Sequence, residues 1–135
     1  ITRKMIEDSI QGKDLKKLII LRSDLTNKVG YESKEWHLKA PSLNLDAAEC
    51  IVDNNFISVC LDFPQDYIAR EMPDRIVYNK EFEIHHKIFD NNITFIEDLM
   101  NIGEIKGNTT QICAVPLKMD CFDGAPMRTV AIDWN

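Results

Sequence analysis

The stretch NLDAAECIVDNNFISVCLD, residues 44–62, decides the fold. Its first half carries an apolar stripe at helical spacing, and Asn44 can cap the first turn. Its second half is a continuous apolar run, which is typical of a strand covered on both faces of a sheet. A helix that leads through a short turn into a buried strand is half of a β-α-β unit. We therefore expect an α/β fold with parallel strands.

The remaining elements follow from the same patterns. The run LIIL, residues 18–21, predicts a second buried strand, which we expect to pair with the strand of residues 56–62. Helices are predicted over residues 1–11, with Thr2 as the cap, and 80–89. Further strands are predicted over residues 93–97, 111–118 and 127–133. Residues 23–42 and 65–79 are predicted as long connections, and Pro116 marks a strand edge or bend.

Length and composition limit the class of protein. The 135 residues fit one domain, residues 1–135, and 44% of them are apolar. The net charge of −6 and the scattered basic residues argue against a nucleic-acid partner. No apolar run is long enough for a membrane span, so we expect a cytoplasmic protein with no membrane partner. Cys50, Cys60 and Cys113 lie in apolar runs and are predicted to be reduced core thiols.

One histidine and one carboxylate stand out as possible metal ligands. His85 lies on the predicted helix of residues 80–89, and Glu97 ends the apolar strand that follows it. Imidazole nitrogen and carboxylate oxygen are ligands for zinc and for harder cations. Consecutive elements can bring the two side chains together. A structural histidine and a solvated glutamate at a strand end remain the alternative, because two residues alone are a weak signal.

Two further places could serve a site. His37 and Trp36 interrupt the polarity of the connection 23–42, together with Tyr31. We expect this loop to line a substrate pocket or to pack on the body of the protein or on another subunit. Asp62 follows a buried strand, where functional groups often lie in α/β folds. It could equally cap a helix or fix a loop.

Two C-terminal segments resemble the family of putative cyclases and kynurenine formamidases. The first is HHKIFDNNITFIEDLMN, residues 85–101, and the second is AVPLKMDCFDGAPMRTVAI, residues 114–132. The apolar strand of residues 18–23 with its aromatic-bearing loop, and the helix–strand step of residues 45–62, fit the family order more weakly.

The resemblance implies a metal-dependent hydrolase with a swivelling β/β/α fold that binds zinc or manganese. It places metal ligands on His85 and Glu97, with His86 as second choice because its separation from Glu97 is one residue short. It also implies attack of a metal-activated water on a small amide, formamide or lactam. The activities implied are hydrolysis of N-formylkynurenine to kynurenine and formate, a step of tryptophan catabolism, and ring opening of isatin.

The sequence departs from the family at its main metal motif. The 135 residues contain no HxGTHxD, which supplies most ligands and the acid–base histidine in this family. The resemblance therefore implies an incomplete domain, the C-terminal two thirds of such an enzyme, in which this chain alone is inactive. We also expect a homo-oligomer, a dimer or tetramer. The alternative is a non-catalytic binding or structural domain that kept the fold and lost the metal site.

Overall fold

A three-stranded parallel sheet forms the centre of the larger part of the molecule. The computed structural model describes residues 1–31, 33–120 and 124–133. These residues divide into two compact units, Ile1–Met100 and Asn101–Asn135. The first unit contains strands β1 (Leu18–Leu21), β2 (Ser58–Leu61) and β3 (Thr94–Ile96) in the order β1-β2-β3. The predicted pairing of β1 with β2 is confirmed, and it is parallel.

Five helices belong to this first unit in its described residues. They are α1 (Arg3–Ile10), α2 (Leu25–Val29), α3 (Lys34–Lys39), α4 (Leu45–Asp53) and α5 (Glu83–Phe89). The predicted caps are confirmed, since Thr2 accepts from the N–H of Met5 and Asn44 from that of Ala47. Short 3-10 turns cover Tyr67–Glu71 and Asn79–Glu81.

The prediction of an unstructured connection over residues 23–42 is wrong. The segment forms α2 and α3, and Ser33 caps α3 by accepting a hydrogen bond from the N–H of Trp36. Trp36 is buried, and its indole N–H donates to the hydroxyl of Thr26 over 3.1 Å. Helices this short have little intrinsic stability, so a buried tryptophan and a side-chain cap decide their formation more than periodicity does.

The core lies between the sheet and the helices α1, α4 and α5. In α4 the side chains of Ala47, Ala48, Cys50 and Ile51 have no exposed surface, and every residue of β2 is buried. A central strand buried on both faces explains the continuous apolar run seen in the sequence. Burial raises the pKa of the Cys60 thiol to about 12, which keeps this cysteine protonated and unreactive.

The second unit is built on an antiparallel pair. Strand β4 (Gln111–Pro116) pairs with β5 (Met127–Ile132), and Pro116 stands opposite Met127 at the end of the ladder. A 3-10 turn covers Ile102–Glu104. The prediction that Cys113 is a core thiol is wrong, because its side chain is exposed in this two-stranded sheet.

Candidate functional site

His85 lies in the first turn of α5, and Asp66 holds it there. One oxygen of Asp66, Oδ1, accepts from the backbone N–H of Ile84 over 2.9 Å. The other, Oδ2, accepts from the N–H of His85 over 3.2 Å and lies 2.8 Å from His85 Nδ1. Since an ionised carboxylate only accepts hydrogen bonds, Nδ1 donates to Asp66. The second ring nitrogen, Nε2, therefore faces away from Asp66 and towards Glu97.

Glu97 comes to the same place from the end of β3. Its Oε1 lies 3.6 Å from Nε2 of His85, and 41% of its side chain remains exposed. Two atoms that bind one tetrahedral zinc ion at about 2.1 Å are separated by roughly 3.4 Å. The structure thus brings the two residues predicted from the sequence to the separation of two ligands of one ion.

Gln65 completes this cluster and is almost fully buried. Its Nε2 donates to Oε1 of Glu97 over 2.5 Å. The same atom lies 2.7 Å from Nε2 of His85 and 3.2 Å from Nδ1. With comparable distances to both ring nitrogens, the Gln65 amide nitrogen lies against the His85 ring and beside Glu97.

The cluster favours a positive charge. Burial acts against the charged form of His85, but hydrogen bonds to Asp66 and Glu97 and the charges of both carboxylates outweigh it and raise the pKa of His85 to about 9. Burial also acts to raise the pKa of Glu97, yet the bonds from His85 and Gln65 leave that pKa below its ordinary value. A proton on the imidazole or a cation beside it can supply the favoured charge.

Aromatic rings enclose the His85 side of the cluster. The ring of His85 lies 5.3 Å from the centroid of Phe82, 5.5 Å from Phe89 and 5.3 Å from Phe95. Phe95 is buried, whereas nearly half of the Phe89 side chain is exposed. The apolar rings lower the local dielectric, which strengthens electrostatic interactions of a ligand held there.

The structure separates His86 from this cluster. Its Nε2 lies 3.1 Å from the backbone oxygen of Asn79, and its side chain does not join the contacts between His85 and Glu97. Adjacent helical residues point about 100° apart, so only one of two neighbouring histidines can face a given site. The geometry places His85 rather than His86 beside Glu97.

Asp62 fixes a loop. Its Oδ1 accepts from the N–H and the hydroxyl of Ser23 over 2.8 and 2.9 Å, and its Oδ2 accepts from the N–H of Asp24 over 2.7 Å. All these bonds lie at the carboxyl end of β1 and β2, and none reaches the histidine cluster. Of the three roles left open by the sequence, these contacts show the loop-fixing one.

Tyr31, in the aromatic segment around Trp36, contacts the site region. The hydroxyl of Tyr31 donates to Asp98 over 2.9 Å, and Asp98 directly follows Glu97. The ring of His37 packs edge-on against Trp36, with 5.1 Å between centroids. The segment thus packs on the body of the first unit, and Tyr31 approaches the neighbourhood of Glu97.

Sequence reasoning missed Gln65 and Asp66, because both lie in what was predicted to be a plain loop. Both are buried, with 2% and 4% of their surfaces exposed. Their available signal was the position directly after Pro64, just beyond the carboxyl end of the buried strand β2, where α/β folds place functional groups.

The described side chains do not by themselves form a complete metal site. Over residues 1–31, 33–120 and 124–133, no three His, Cys, Asp or Glu side chains converge on one possible ion position. Asp66 does not add a ligand to His85 and Glu97, because it binds the opposite ring nitrogen. Such a carboxylate–histidine contact orients a metal-binding imidazole in many zinc sites. The residues fit two ligands with one orienting group.

Comparison with known proteins places the fold. No protein-family model and no curated protein matches the sequence. Among solved structures, the chain resembles a potential metal-dependent hydrolase with cyclase activity, with a TM-score of 0.67 and 19% identity over 97% of this chain. It also resembles an isatin hydrolase bound to the product analogue thioisatinate, with a TM-score of 0.74 and 18% identity over 97% of this chain.

The chain spans about half the length of these solved structures, 57% of the first and 52% of the second. Likeness at this level of identity concerns the fold. The α/β fold predicted from the sequence, that of cyclase-like hydrolases, is confirmed.

Proposed function

We propose that this chain contributes part of the active site of a metal-dependent hydrolase that acts on an amide, formamide or lactam. The observation that carries the proposal is the 3.6 Å separation between Nε2 of His85 and Oε1 of Glu97, with Nδ1 of the same ring held by Asp66. When Nε2 gives up its proton as a cation binds, this arrangement leaves a nitrogen lone pair beside a carboxylate oxygen. Zinc and manganese both accept this pair of ligand types.

Each residue of the cluster has a distinct task in this proposal. His85 and Glu97 bind the divalent cation, while Asp66 keeps the imidazole in the tautomer that presents Nε2. When bound, such a cation polarises a carbonyl and lowers the pKa of water towards neutrality. The rings of Phe82, Phe89 and Phe95 keep bulk water from one side of the cluster and offer an apolar wall to a substrate.

Two observations support the substrate class: the similarity of the fold to known hydrolases and the three phenylalanine rings beside the cluster. One similar structure is named an isatin hydrolase, and isatin is an aromatic lactam. Three phenylalanines beside the predicted ligands suit an aromatic ring next to the reacting carbonyl. We therefore place aryl formamides, N-formylkynurenine among them, and aromatic lactams first among candidate substrates.

A second candidate function is a non-catalytic domain that binds no metal. It is favoured by the shortage of converging ligands in the described part of the chain, which supplies two where catalytic zinc usually has three protein ligands. The Gln65 amide already donates to Glu97 and lies against the His85 ring. In this case the cluster would act as a buried polar network that fixes α5 against β3.

Metal binding by variants of the chain separates the two functions. We expect the unaltered chain to bind zinc or manganese and the variants His85→Ala and Glu97→Ala to lose most of that affinity, as measured by competition with a metal-sensitive dye. His86→Ala is the matched control, and we expect it to bind as the unaltered chain does. Equal metal affinity in Glu97→Ala and the unaltered chain would remove Glu97 from the ligand set, and no binding at all would favour the non-catalytic domain.

A further inference from the structure

The chain contains one extra residue just after the end of β3. Within this strand, the N–H of Thr94 donates to the oxygen of Ile57. A parallel ladder that continued regularly would bring the N–H of Asp98 to the oxygen of Leu61. The N–H of Leu99 makes that bond instead, over 3.0 Å. The segment after β3 is therefore one residue longer than the ladder with β2 requires.

The backbone of Asp98, which directly follows Glu97, accommodates the extra residue. Its φ of 56° lies in the left-handed region, which aspartate adopts more readily than most residues. Extra residues of this kind are common beside functional sites, where they redirect a side chain or end the pairing of a strand. Alternate residues of a strand share one face, so Glu97 continues the face of Phe95, whose ring lies 5.3 Å from that of His85.

The side chain of Asp98 is bound by Tyr31. The hydroxyl of Tyr31 donates to Oδ2 of Asp98 over 2.9 Å, and its ring packs edge-on against that of Trp36, with 5.4 Å between centroids. Trp36 is buried and donates to Thr26, whose hydroxyl donates to the backbone oxygen of Asp62, directly after β2. The hydroxyl that meets Asp98 is thus tied through buried groups to the end of the neighbouring strand.

The backbone is anchored to β2 on both sides of Glu97 and Asp98. Ile96, the last residue of β3, pairs with β2 before them, and the N–H of Leu99 donates to the end of β2 after them. A segment of two residues between fixed ends has few free dihedral angles. A change in the φ of Asp98 must therefore be compensated at Glu97, and this changes the direction of the Glu97 side chain.

We propose that Tyr31 and Asp98 are positioning residues for Glu97. The hydrogen bond from Tyr31 keeps Asp98 in the left-handed conformation, and that conformation directs the Glu97 carboxylate to its place 3.6 Å from Nε2 of His85. Tyr31 and Asp98 act through Glu97 and are not ligands themselves. This inference rests on the proposed function, because Glu97 is one of the two metal ligands proposed there.

The zinc affinity of variants at these two positions tests the inference. We expect Asp98→Ala to weaken zinc binding by about tenfold, the lower end of the range for groups that orient metal ligands. Alanine does not favour the left-handed conformation, and it cannot accept the bond from Tyr31. Tyr31→Phe keeps the ring, loses the hydroxyl and should weaken binding in the same direction. Asp98→Asn should bind zinc nearly as the unaltered chain does, because asparagine adopts the same conformation and its amide oxygen can accept from Tyr31.

Asn55→Ala is the matched control for the backbone conformation. Asn55 has the same φ of 56° and precedes β2, at the opposite end of the parallel sheet from Glu97. We expect its alanine variant to have a lower free energy of unfolding, as Asp98→Ala does, but an unchanged zinc affinity. If both alanine variants keep full zinc affinity, or both lose it equally, the left-handed residue at position 98 has only a structural role and the inference is overturned.

An NMR signal of the metal-free chain separates this inference from the proposed function. We expect the carboxyl ¹³C signal of Glu97 to shift in Tyr31→Phe, as the carboxylate moves relative to His85. It should stay unchanged in Tyr67→Phe, which removes the hydroxyl of another exposed tyrosine. An unchanged Glu97 signal in Tyr31→Phe would overturn the positioning role and leave the proposed function standing. If the unaltered chain binds no zinc, the proposed function fails, and the Glu97 signal alone decides whether Tyr31 and Asp98 hold this side chain.

Discussion

At the scale of single residues, Asp66 has the most specific position in the cluster. Its two oxygens make three contacts with α5, two with backbone N–H groups and one with Nδ1 of His85. A carboxylate at the first turn of a helix stabilises that turn, and the contact with Nδ1 selects the ring tautomer. Asp66 is therefore a positioning residue for His85.

We expect Asp66→Asn to weaken metal binding by about 10 to 100-fold, the range typical of groups that orient a metal-binding histidine. The same change should lower the free energy of unfolding by about 1 kcal/mol, because the first turn of α5 loses part of its capping. Zinc competition measures the first effect and urea denaturation the second. ¹⁵N chemical shifts of the imidazole report which ring nitrogen carries the proton.

A second capping residue separates these two roles. Asn44 caps α4 by accepting from Ala47, on a helix that carries neither His85 nor Glu97. Asn44→Ala should lower the free energy of unfolding by a similar amount and leave both zinc affinity and the His85 tautomer unchanged. If Asp66→Asn behaves in the same way as Asn44→Ala, then Asp66 is only a helix cap.

At the scale of elements, an ion pair holds the turn that precedes α5. Both terminal guanidinium nitrogens of Arg75 donate to Glu81, with Nη2 at 2.6 Å from Oε1 and Nη1 at 3.3 Å from Oε2. The N–H of Tyr78 donates to the same carboxylate over 2.8 Å. Arg75 and the Tyr78 amide lower the pKa of Glu81 to about 2. The turn Asn79–Glu81, which leads into α5, is therefore held by a charged side chain.

This depressed pKa gives a pH dependence with a defined sign. The folded chain binds the Glu81 proton more weakly than the unfolded chain, so the stabilisation from this pair is complete above about pH 4.5 and is lost as pH falls through about 2. We expect a ¹³C NMR titration of the Glu81 carboxyl to have its midpoint near pH 2. In Arg75→Gln the midpoint should rise towards the ordinary value for glutamate, and an unchanged midpoint would show that this ion pair is absent in solution.

At the scale of the whole molecule, the second unit has unusually little burial. No residue of β4 or β5 is fully buried, and the side chains of Val115, Leu117 and Val130 are all more than 40% exposed. Among the described residues, β4 and β5 have only each other as neighbours, so each leaves one row of backbone groups without a strand partner. Open edges and exposed apolar side chains favour association.

We therefore propose that the chain forms dimers or larger oligomers, as also expected from the sequence. Sedimentation should show association that increases with protein concentration. Val115→Lys should shift the equilibrium towards the monomer, because it places a charge in the exposed apolar strand. Ile76→Lys is the control, since Ile76 is 76% exposed and lies in a loop of the first unit. A monomer at every concentration would contradict the proposal.

Across the described residues, no helix is both long enough and apolar enough to cross a membrane. The single-domain organisation of residues 1–135 stays a prediction, as does the cytoplasmic location. The two compact units describe how residues cluster in space, and they do not test the prediction of a single domain. The two segments that resemble the cyclase family lie in different units. Residues 85–100 belong to the first unit, and residues 114–132 belong to the second.

The sequence by itself determined the elements that local patterns encode. Continuous apolar runs gave β1 and β2, helical periodicity with an asparagine cap gave α4, and the helix–turn–strand order gave the parallel pairing. Within the site it pointed to His85 and Glu97, because a histidine and a carboxylate on consecutive elements are visible in one dimension. Their role as metal ligands remains a prediction.

Tertiary structure alone decided the rest of the cluster. Gln65 and Asp66 are distant in sequence from His85 and Glu97, and their burial and contacts arise only when the loop after β2 packs against α5. The helices α2 and α3 likewise depend on the burial of Trp36 and on the Ser33 cap. Contacts between segments far apart in the chain leave no periodic trace in sequence. The position of Gln65 and Asp66 after a buried strand marks them as candidates, but it does not show that they are buried beside a histidine.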